Sequence, residues 1–498
     1  MHRPLRQAHL NRARGPLDCE PSGKIVWSVG GTSSLHHCKQ HAFLESPPIE
    51  FQAQPHIFAC AELMFFCGMP TGGYMAKDYT EMWRGLGMDI KAHEGLLQAL
   101  GKGYSDIFLS QKNRPAGMGY LDFVMSEIHG LRIEELMHAR QQGRKVIGTF
   151  CLYVPEEILI AAEAISVGLC AGADFGTDLA EQVLPRNTCA LIKSFVGFKL
   201  AGVCPYVEAC DLVIGETTCD GKTKAYEIFS EYKPTFVLEV PHMKNESDRK
   251  LWRSEIGRLA DKIEETTGKT ITADALKKAV EIVNAKRLAL HRLNKLRSAD
   301  PAPISGCDCL LINQVQFYDD PVRFTQKVNE LCDELDERVA ERVGVAPEGT
   351  PRLLVSGCPM AAPNWKLPYI IEQSGAVIVG EESCVGERGT RNLVDLQGAA
   401  TREEILDRIA QRYLGIDCAI FTPNSERVEH VREMTRNYKA DGVVHYEIQF
   451  CTPYAMESYT MRRAMGQAEI PFLRIETDYS MEDAAQLKTR VQAFIEIL

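Results

Sequence analysis

The sequence has no long hydrophobic run and no excess of positive charge. A membrane-spanning helix needs about 18 consecutive apolar residues, and the nearest approach, residues 57–69, is interrupted by Glu62. The formal net charge of −11 argues against nucleic acid or an anionic membrane as the main partner. With 45% hydrophobic and 25% charged residues, the chain has the composition of an ordinary globular protein.

The 17 cysteines lack the spacings of the common small motifs. There is no CxxC pair, which argues against a structural zinc site, and the CxxCxxC spacing of ferredoxins is also missing. Their odd number, their irregular spacing and the absence of a recognisable signal peptide predict free thiols in a reducing cytoplasm. The one close pair, Cys307 and Cys309, is expected to lie in a loop and to take no part in a site.

Strand-like apolar runs alternate with helical patterns, which predicts an α/β protein with two doubly wound parallel-sheet domains. Five regions are expected: an extension (1–63) that is disordered or precedes the true start of translation, a helical region (64–142), a first α/β domain (143–245), a helical insert (246–349) and a second α/β domain (350–498). The predicted strands are 146–151, 165–170, 211–216, 234–241, 353–357, 376–380, 417–422, 442–448 and 472–478.

Cysteines recur at intervals that match one strand–helix unit. Within each half, three of them lie 30 to 38 residues apart, and most of the six follow the end of a predicted strand. Open α/β sheets place their ligands at the carboxyl edge of the strands, so two triads are expected to face each other across a cleft. Thiolates gathered in this way suit zinc or an iron–sulfur cluster. The triads are Cys151, Cys189 and Cys219 in the first half, and Cys384, Cys418 and Cys451 in the second, with Cys358 as a seventh candidate.

Several long motifs carry a resemblance to a known family. FCLYVPEE, LPRNTCALIKS, EESCVG and YLGIDCAIFTPN resemble segments of the 2-hydroxyacyl-CoA dehydratase/benzoyl-CoA reductase family, most closely its double-cubane cluster protein branch. The resemblance covers residues 131–498. It implies two flavodoxin-like domains that hold an iron–sulfur cluster in the cleft. It also implies an ATP-hydrolysing activator protein, with its own 4Fe–4S cluster, as the electron donor.

The resemblance also implies a ligand set. Single-cubane members use three cysteines, which match Cys151, Cys189 and Cys384 here. The double-cubane branch holds two cubanes joined by a sulfide (8Fe–9S) with six cysteine ligands. We expect the repeat pattern to complete that set with Cys219, Cys418 and Cys451, and we keep Cys358 in reserve.

Charged residues near the cysteines are candidates for a direct part in the chemistry. Glu381 and Glu382 precede Cys384 and are candidate proton donors. Lys222 follows Cys219 and is a candidate for offsetting the charge of a thiolate-bound cluster. Arg388, between two glycines, is either an anion clamp or a surface charge.

The sequence therefore predicts an oxygen-sensitive, cytoplasmic iron–sulfur reductase. The expected enzyme receives low-potential electrons from the ATP-hydrolysing activator and reduces a small substrate at the cluster. A 2-hydroxyacyl-CoA dehydratase subunit with a single 4Fe–4S cluster and an acyl-CoA substrate is the first alternative. A non-catalytic electron carrier is the second. The resemblance implies a homodimer.

Overall fold

The computed structural model describes residues 77–498. The extension predicted for residues 1–63 lies outside this range. Among the described residues, a helical region precedes the first strand. Its elements are α1 (Thr80–Gly85), α2 (Ile90–Tyr104), a π-helical turn (Ser105–Leu109), a 3₁₀ turn (Ala116–Met118), α3 (Gly119–Ser126) and α4 (Leu131–Gln141).

The first sheet contains four parallel strands in the order β2-β1-β3-β4. This is the strand order of a flavodoxin-like sheet. The order in which strands are added to the sheet reverses at a switch point between β1 and β3. Its strands are β1 (Val146–Thr149), β2 (Ile165–Gly168), β3 (Leu212–Glu216) and β4 (Thr235–Leu238). Its helices are α5 (Glu156–Ala161), α6 (Thr177–Ala180), α7 (Ala190–Leu200), α8 (Pro205–Ala209) and α9 (Asp220–Phe229).

Four helices then separate the two sheets in sequence: α10 (Glu246–Thr267), α11 (Ala273–Leu296), α12 (Gly306–Val315) and α13 (Pro321–Ala340). The break between α10 and α11 has a local cause. Gly268 adopts a left-handed conformation (φ 70°) at the end of α10, and the side chain of Thr272 caps the start of α11.

Cys307 and Cys309 lie in α12, so the prediction of a loop for this pair was wrong. The Ser305 hydroxyl accepts a hydrogen bond from the Asp308 N–H and thereby starts the helix. All ten residues of α12 are buried. A helix that is buried on every side has no amphipathic pattern for the sequence to reveal.

The second sheet repeats the topology of the first, with four parallel strands in the order β6-β5-β7-β8. Its strands are β5 (Arg352–Gly357), β6 (Val377–Glu382), β7 (Gly442–Ile448) and β8 (Phe472–Thr477). Its helices are α14 (Lys366–Gln373), α15 (Glu387–Thr390), α16 (Arg402–Leu414), α17 (Ser425–Asn437), α18 (Thr452–Gln467) and α19 (Ala484–Ile495). The two sheets confirm the predicted α/β fold with two flavodoxin-like domains.

The strand predicted at 417–422 is instead a series of turns, so that prediction was wrong. The Phe421 N–H donates to the Cys418 carbonyl within the segment, and the Asn424 side chain donates to the same oxygen. These local bonds satisfy a backbone group that a sheet neighbour would otherwise need to pair. Within residues 77–498, no helix is both long and apolar enough to cross a membrane.

Candidate functional site

The carboxyl ends of the two sheets open onto one cleft with a volume of about 1010 Å³. All 13 cysteines among residues 77–498 are free thiols, as the composition predicted. The six predicted ligands all line the cleft, namely Cys151, Cys189, Cys219, Cys384, Cys418 and Cys451. Cys358, the reserve candidate, is buried behind them.

The thiols form two groups, and each group draws on both halves of the chain. The first, here the Cys384 group, contains Cys151, Cys384 and Cys418. Cys151 and Cys384 are hydrogen-bonded to each other. Burial and the nearby negative charge of Cys384 raise the pKa of Cys418. The predicted arrangement of one triad per half was therefore wrong. Because the strand ends of the two sheets meet across the cleft, Cys151 lies closer to Cys384 than to the later cysteines of its own half.

Polar and charged side chains favour the ionised form of Cys384. The hydrogen bond from Cys151 and the Arg388 guanidinium, whose Nη1 lies 3.5 Å from Sγ, lower the pKa of Cys384 to about 6. The same hydrogen bond and burial raise the pKa of Cys151. The hydroxyl of Tyr454 lies 3.8 Å from the sulfur of Cys418. One thiolate is thus stabilised within this group even without a bound metal.

The second group, here the Cys451 group, contains Cys189, Cys219 and Cys451. Each is the capping residue immediately before a helix: Cys189 before α7, Cys219 before α9 and Cys451 before α18. Backbone N–H groups in the first turns of these helices therefore point at the sulfurs. Cys451 is also in hydrogen-bonding contact with Cys189 and with Cys358. The Ile448 N–H donates to the Cys358 sulfur at 3.4 Å.

Within the part of the chain that the structure describes, no three Cys, His, Asp or Glu side chains converge tightly enough to hold a single metal ion. Zinc needs all its ligands about 2.0–2.3 Å from one centre. In a cubane cluster each iron takes its own thiolate, so the thiols stay further apart.

The two glutamates beside Cys384 face away from the cleft. The Glu381 carboxylate binds Arg297 with two hydrogen bonds of 2.5 and 2.7 Å, and both side chains are buried. Although burial alone would raise the pKa of Glu382, Arg388 and Arg427 lower it to about 2. A carboxyl group with that pKa is ionised near neutral pH and has no proton to donate. We interpret both glutamates as counter-ions of buried arginines.

Lys222 lines the cleft, and its buried ammonium group is paired with Glu216. Its charge favours the ionised forms of both Cys151 and Cys384. Glu216 also accepts a hydrogen bond of 3.0 Å from the Tyr226 hydroxyl. This placement suits the charge-offsetting role predicted for Lys222.

Sequence reasoning missed the importance of three residues. Arg388 is only 2% exposed, so it is not a surface charge. Arg427 and Tyr454 were not considered, yet both are buried beside it. The only available signal was the position of Arg388, four residues after Cys384.

Two flavodoxin-like sheets with a thiol-lined cleft at their carboxyl edges define the class of this protein. Residues 151–498 match the family described as 2-hydroxyglutaryl-CoA dehydratase, D-component. The chain belongs to this family, which confirms the resemblance to 2-hydroxyacyl-CoA dehydratases and benzoyl-CoA reductases.

Individual relatives cover the same part of the chain. A protein of Escherichia coli K12 named as dehydratase subunit YjiM is 39% identical over 369 residues, which is 73% of this chain and 94% of the relative. The (R)-phenyllactyl-CoA dehydratase beta subunit of Clostridium sporogenes is 26% identical and covers 73% and 94%. A benzoyl-CoA reductase subunit of Thauera aromatica is 21% identical and covers 66% and 85%.

Proposed function

We propose that this protein is an iron–sulfur reductase in which the Cys384 group and the Cys451 group together hold a double-cubane 8Fe–9S cluster. The observation that carries the proposal is the presence of these six thiols, three in each group, among the seven that line one cleft. The seventh, Cys170, instead donates a hydrogen bond of 2.9 Å to the Phe150 carbonyl. Thiolates are the soft ligands that iron–sulfur clusters require. The positive charges of Lys222 and Arg388 offset part of the negative charge of the ligands. The donor set therefore fits the cluster.

Such a cluster supplies low-potential electrons and an iron site at which a small substrate is reduced. The protein residues have separate roles. The six thiolates fix the position of the cluster. Lys222 and Arg388 stabilise the charge at the Cys384 group. Apolar side chains on the cleft wall, including Phe421 and Phe450, limit the access of water.

The walls of the cleft favour a small, weakly charged substrate. Among the described residues that line it, Lys222 is the only lysine or arginine, and it is already paired with Glu216. The acidic residues Asp220 and Glu457 also line the cleft. Coenzyme A carries several phosphate groups, and phosphates are usually bound by arginine, lysine or a helix N-terminus. The three helix starts at this cleft already face the sulfurs of Cys189, Cys219 and Cys451. A small neutral molecule therefore suits these walls better than an acyl-CoA.

The electrons require a partner. We propose an ATP-hydrolysing activator protein with its own 4Fe–4S cluster as the donor, and a homodimer as the working form. Both parts of the proposal rest on the family resemblance.

The proposal is tested by anaerobic purification followed by iron and sulfide analysis. We expect close to eight irons per chain. Changing any of the six ligands to serine should lower this number, whereas the control Cys210→Ser, at a buried core position, should not. With an activator, ATP and reductant, the loaded protein should reduce acetylene. Four irons per chain would contradict the double cubane, and full loading without turnover of any small molecule would instead indicate an electron carrier.

A 2-hydroxyacyl-CoA dehydratase subunit is the second candidate. It is favoured by the names of the relatives, which include the alpha and beta subunits of (R)-2-hydroxyglutaryl-CoA dehydratase of Acidaminococcus fermentans. This function predicts four irons per chain and dehydration of a 2-hydroxyacyl-CoA.

A further inference from the structure

The two thiol groups lie in unlike electrostatic surroundings. At the Cys384 group a full positive charge touches a sulfur, because Nη1 of Arg388 lies 3.5 Å from Sγ of Cys384. At the Cys451 group the donors that reach the sulfurs are neutral backbone N–H groups at helix starts. Among residues 77–498, no lysine or arginine side chain donates a hydrogen bond to any of the three thiols of the Cys451 group. The two thiol groups therefore differ in what faces their sulfurs, which is a cation at the Cys384 group and aligned peptide dipoles at the Cys451 group.

The orientation of Arg388 is fixed by its other contacts. Its Nε and Nη2 atoms bind the two carboxylate oxygens of Glu382 at 2.7 and 2.9 Å. Nη2 also donates to the Gly357 carbonyl at 3.2 Å. The opposite edge, Nη1, is left to face Cys384 and the hydroxyl of Tyr454. The counter-ion thus lies on the far side of the guanidinium, and the positive edge points at the sulfur.

Tyr454 contacts both groups through different atoms. Its backbone N–H lies in the first turn of α18 and reaches Cys451. Its hydroxyl lies between Nη1 of Arg388 and the sulfur of Cys418. A change at this hydroxyl therefore affects the Cys384 group and leaves the backbone contact to the Cys451 group in place.

We infer that Arg388 is a positioning residue that makes the Cys384 end of the paired cluster the end that is reduced first. This inference rests on the proposed double cubane. An added electron raises the negative charge on the iron and its thiolates, and a buried cation in contact with one thiolate stabilises that charge strongly. The effect falls with distance, so the end held by the Cys451 group gains less. In a bound double cubane, Arg388 would thus give the end held by the Cys384 group the higher potential.

The test is an anaerobic redox titration of the loaded protein, followed by visible absorption and EPR spectroscopy. The wild type should show two separate one-electron transitions. In Arg388→Gln the higher-potential transition should shift to lower potential and approach the other, while Arg388→Lys should retain most of the separation. Iron content is measured in parallel. Lys224→Gln removes an exposed lysine that pairs with Glu227, and this control should leave both transitions unchanged.

A second variant provides an independent test in case the arginine variants bind too little iron. Tyr454→Phe keeps the ring and the backbone contact but removes the hydroxyl that holds Nη1. It should shift the same transition in the same direction by a smaller amount. If fully loaded Tyr454→Phe and Arg388→Gln leave both potentials unchanged, or if both transitions move together, the inference is overturned. A wild type with only four irons would overturn the proposed function itself, before any variant is compared.

Discussion

Replacing Glu381 with glutamine distinguishes a structural carboxylate from a proton donor. Glu381 and Arg297 are 2% and 1% exposed at their side chains and share two short hydrogen bonds. Arg297 also donates to the Ile378 carbonyl in β6 at 3.0 Å. Glutamine keeps the shape but leaves a buried guanidinium without its counter-ion.

The expected loss of stability is large. Removing one partner of a buried ion pair typically costs about 3–5 kcal/mol, because the other charge stays buried and uncompensated. Replacing both partners by apolar residues of similar size is often neutral or stabilising. Glu381→Gln should therefore lower the midpoint of denaturant unfolding, followed by far-UV circular dichroism. The double variant Glu381→Leu with Arg297→Met should recover most of the loss.

Activity and iron content complete the experiment. If Glu381 is structural, the folded Glu381→Gln protein should carry as much iron as the wild type and turn over at a similar rate per cluster. A catalytic acid gives the reverse pattern, with nearly unchanged stability and a large loss of turnover. That result would refute our interpretation of Glu381 as a counter-ion.

Three further predictions concern other parts of the molecule. Cys384→Ala should abolish or strongly reduce the visible cluster absorbance and keep most of the helical circular dichroism signal, whereas Cys204→Ala, outside both thiol groups, should change neither. Burial lowers the pKa of His93, so its neutral form is favoured in the folded protein. The free energy of unfolding should then fall as the pH drops below about 6.5. His93→Gln should remove at most about 1.4 kcal/mol of this fall at pH 5.5. Gly357→Ala places a Cβ 2.0 Å from the Tyr446 carbonyl oxygen at φ +137° and should lower the unfolding free energy by about 1–3 kcal/mol, whereas Gly257→Ala within α10 should raise it by about 0.5–1 kcal/mol. Unchanged stability of Gly357→Ala, or a pH dependence of His93→Gln equal to that of the wild type, would contradict the corresponding prediction.

Regular elements with local signals were predictable from the sequence. The predicted strand 442–448 coincides with β7. The sequence TREE at residues 401–404 has the pattern of a capping box, and Thr401 and Glu404 form that box at the start of α16. In both cases the signal lies within the segment, as a buried apolar run or as capping chemistry. The segment 417–422 has a similar apolar content but forms turns, because side chains outside the segment help to satisfy its backbone.

The positions of the thiols were also predictable, but their grouping was not. Spacing along the chain places each cysteine near the edge of its own sheet. This spacing contains no information on how the edges of the two sheets meet. The way the edges meet is what places Cys151 beside Cys384. The same limit applies to Arg388, because a guanidinium is buried only where Glu382 and Tyr454 are already in place to receive it.

The crossed grouping has a consequence for access to the cleft. Each thiol group takes sulfurs from both halves, so a cluster bound to both groups would link the two sheets at two points. Two rigid links leave little freedom for the halves to move apart, and one buried apolar core already contains residues of both halves, such as Tyr153 and Tyr413. A substrate therefore has to enter between the loops at the rim. Phe450 stands at this rim, 45% exposed and with a positive φ of 65°, next to Cys451. Because a phenylalanine in that conformation is held at some energetic cost, we expect the rim at Phe450, and not an opening of the two sheets, to limit the size of molecules that reach the thiols of the cleft.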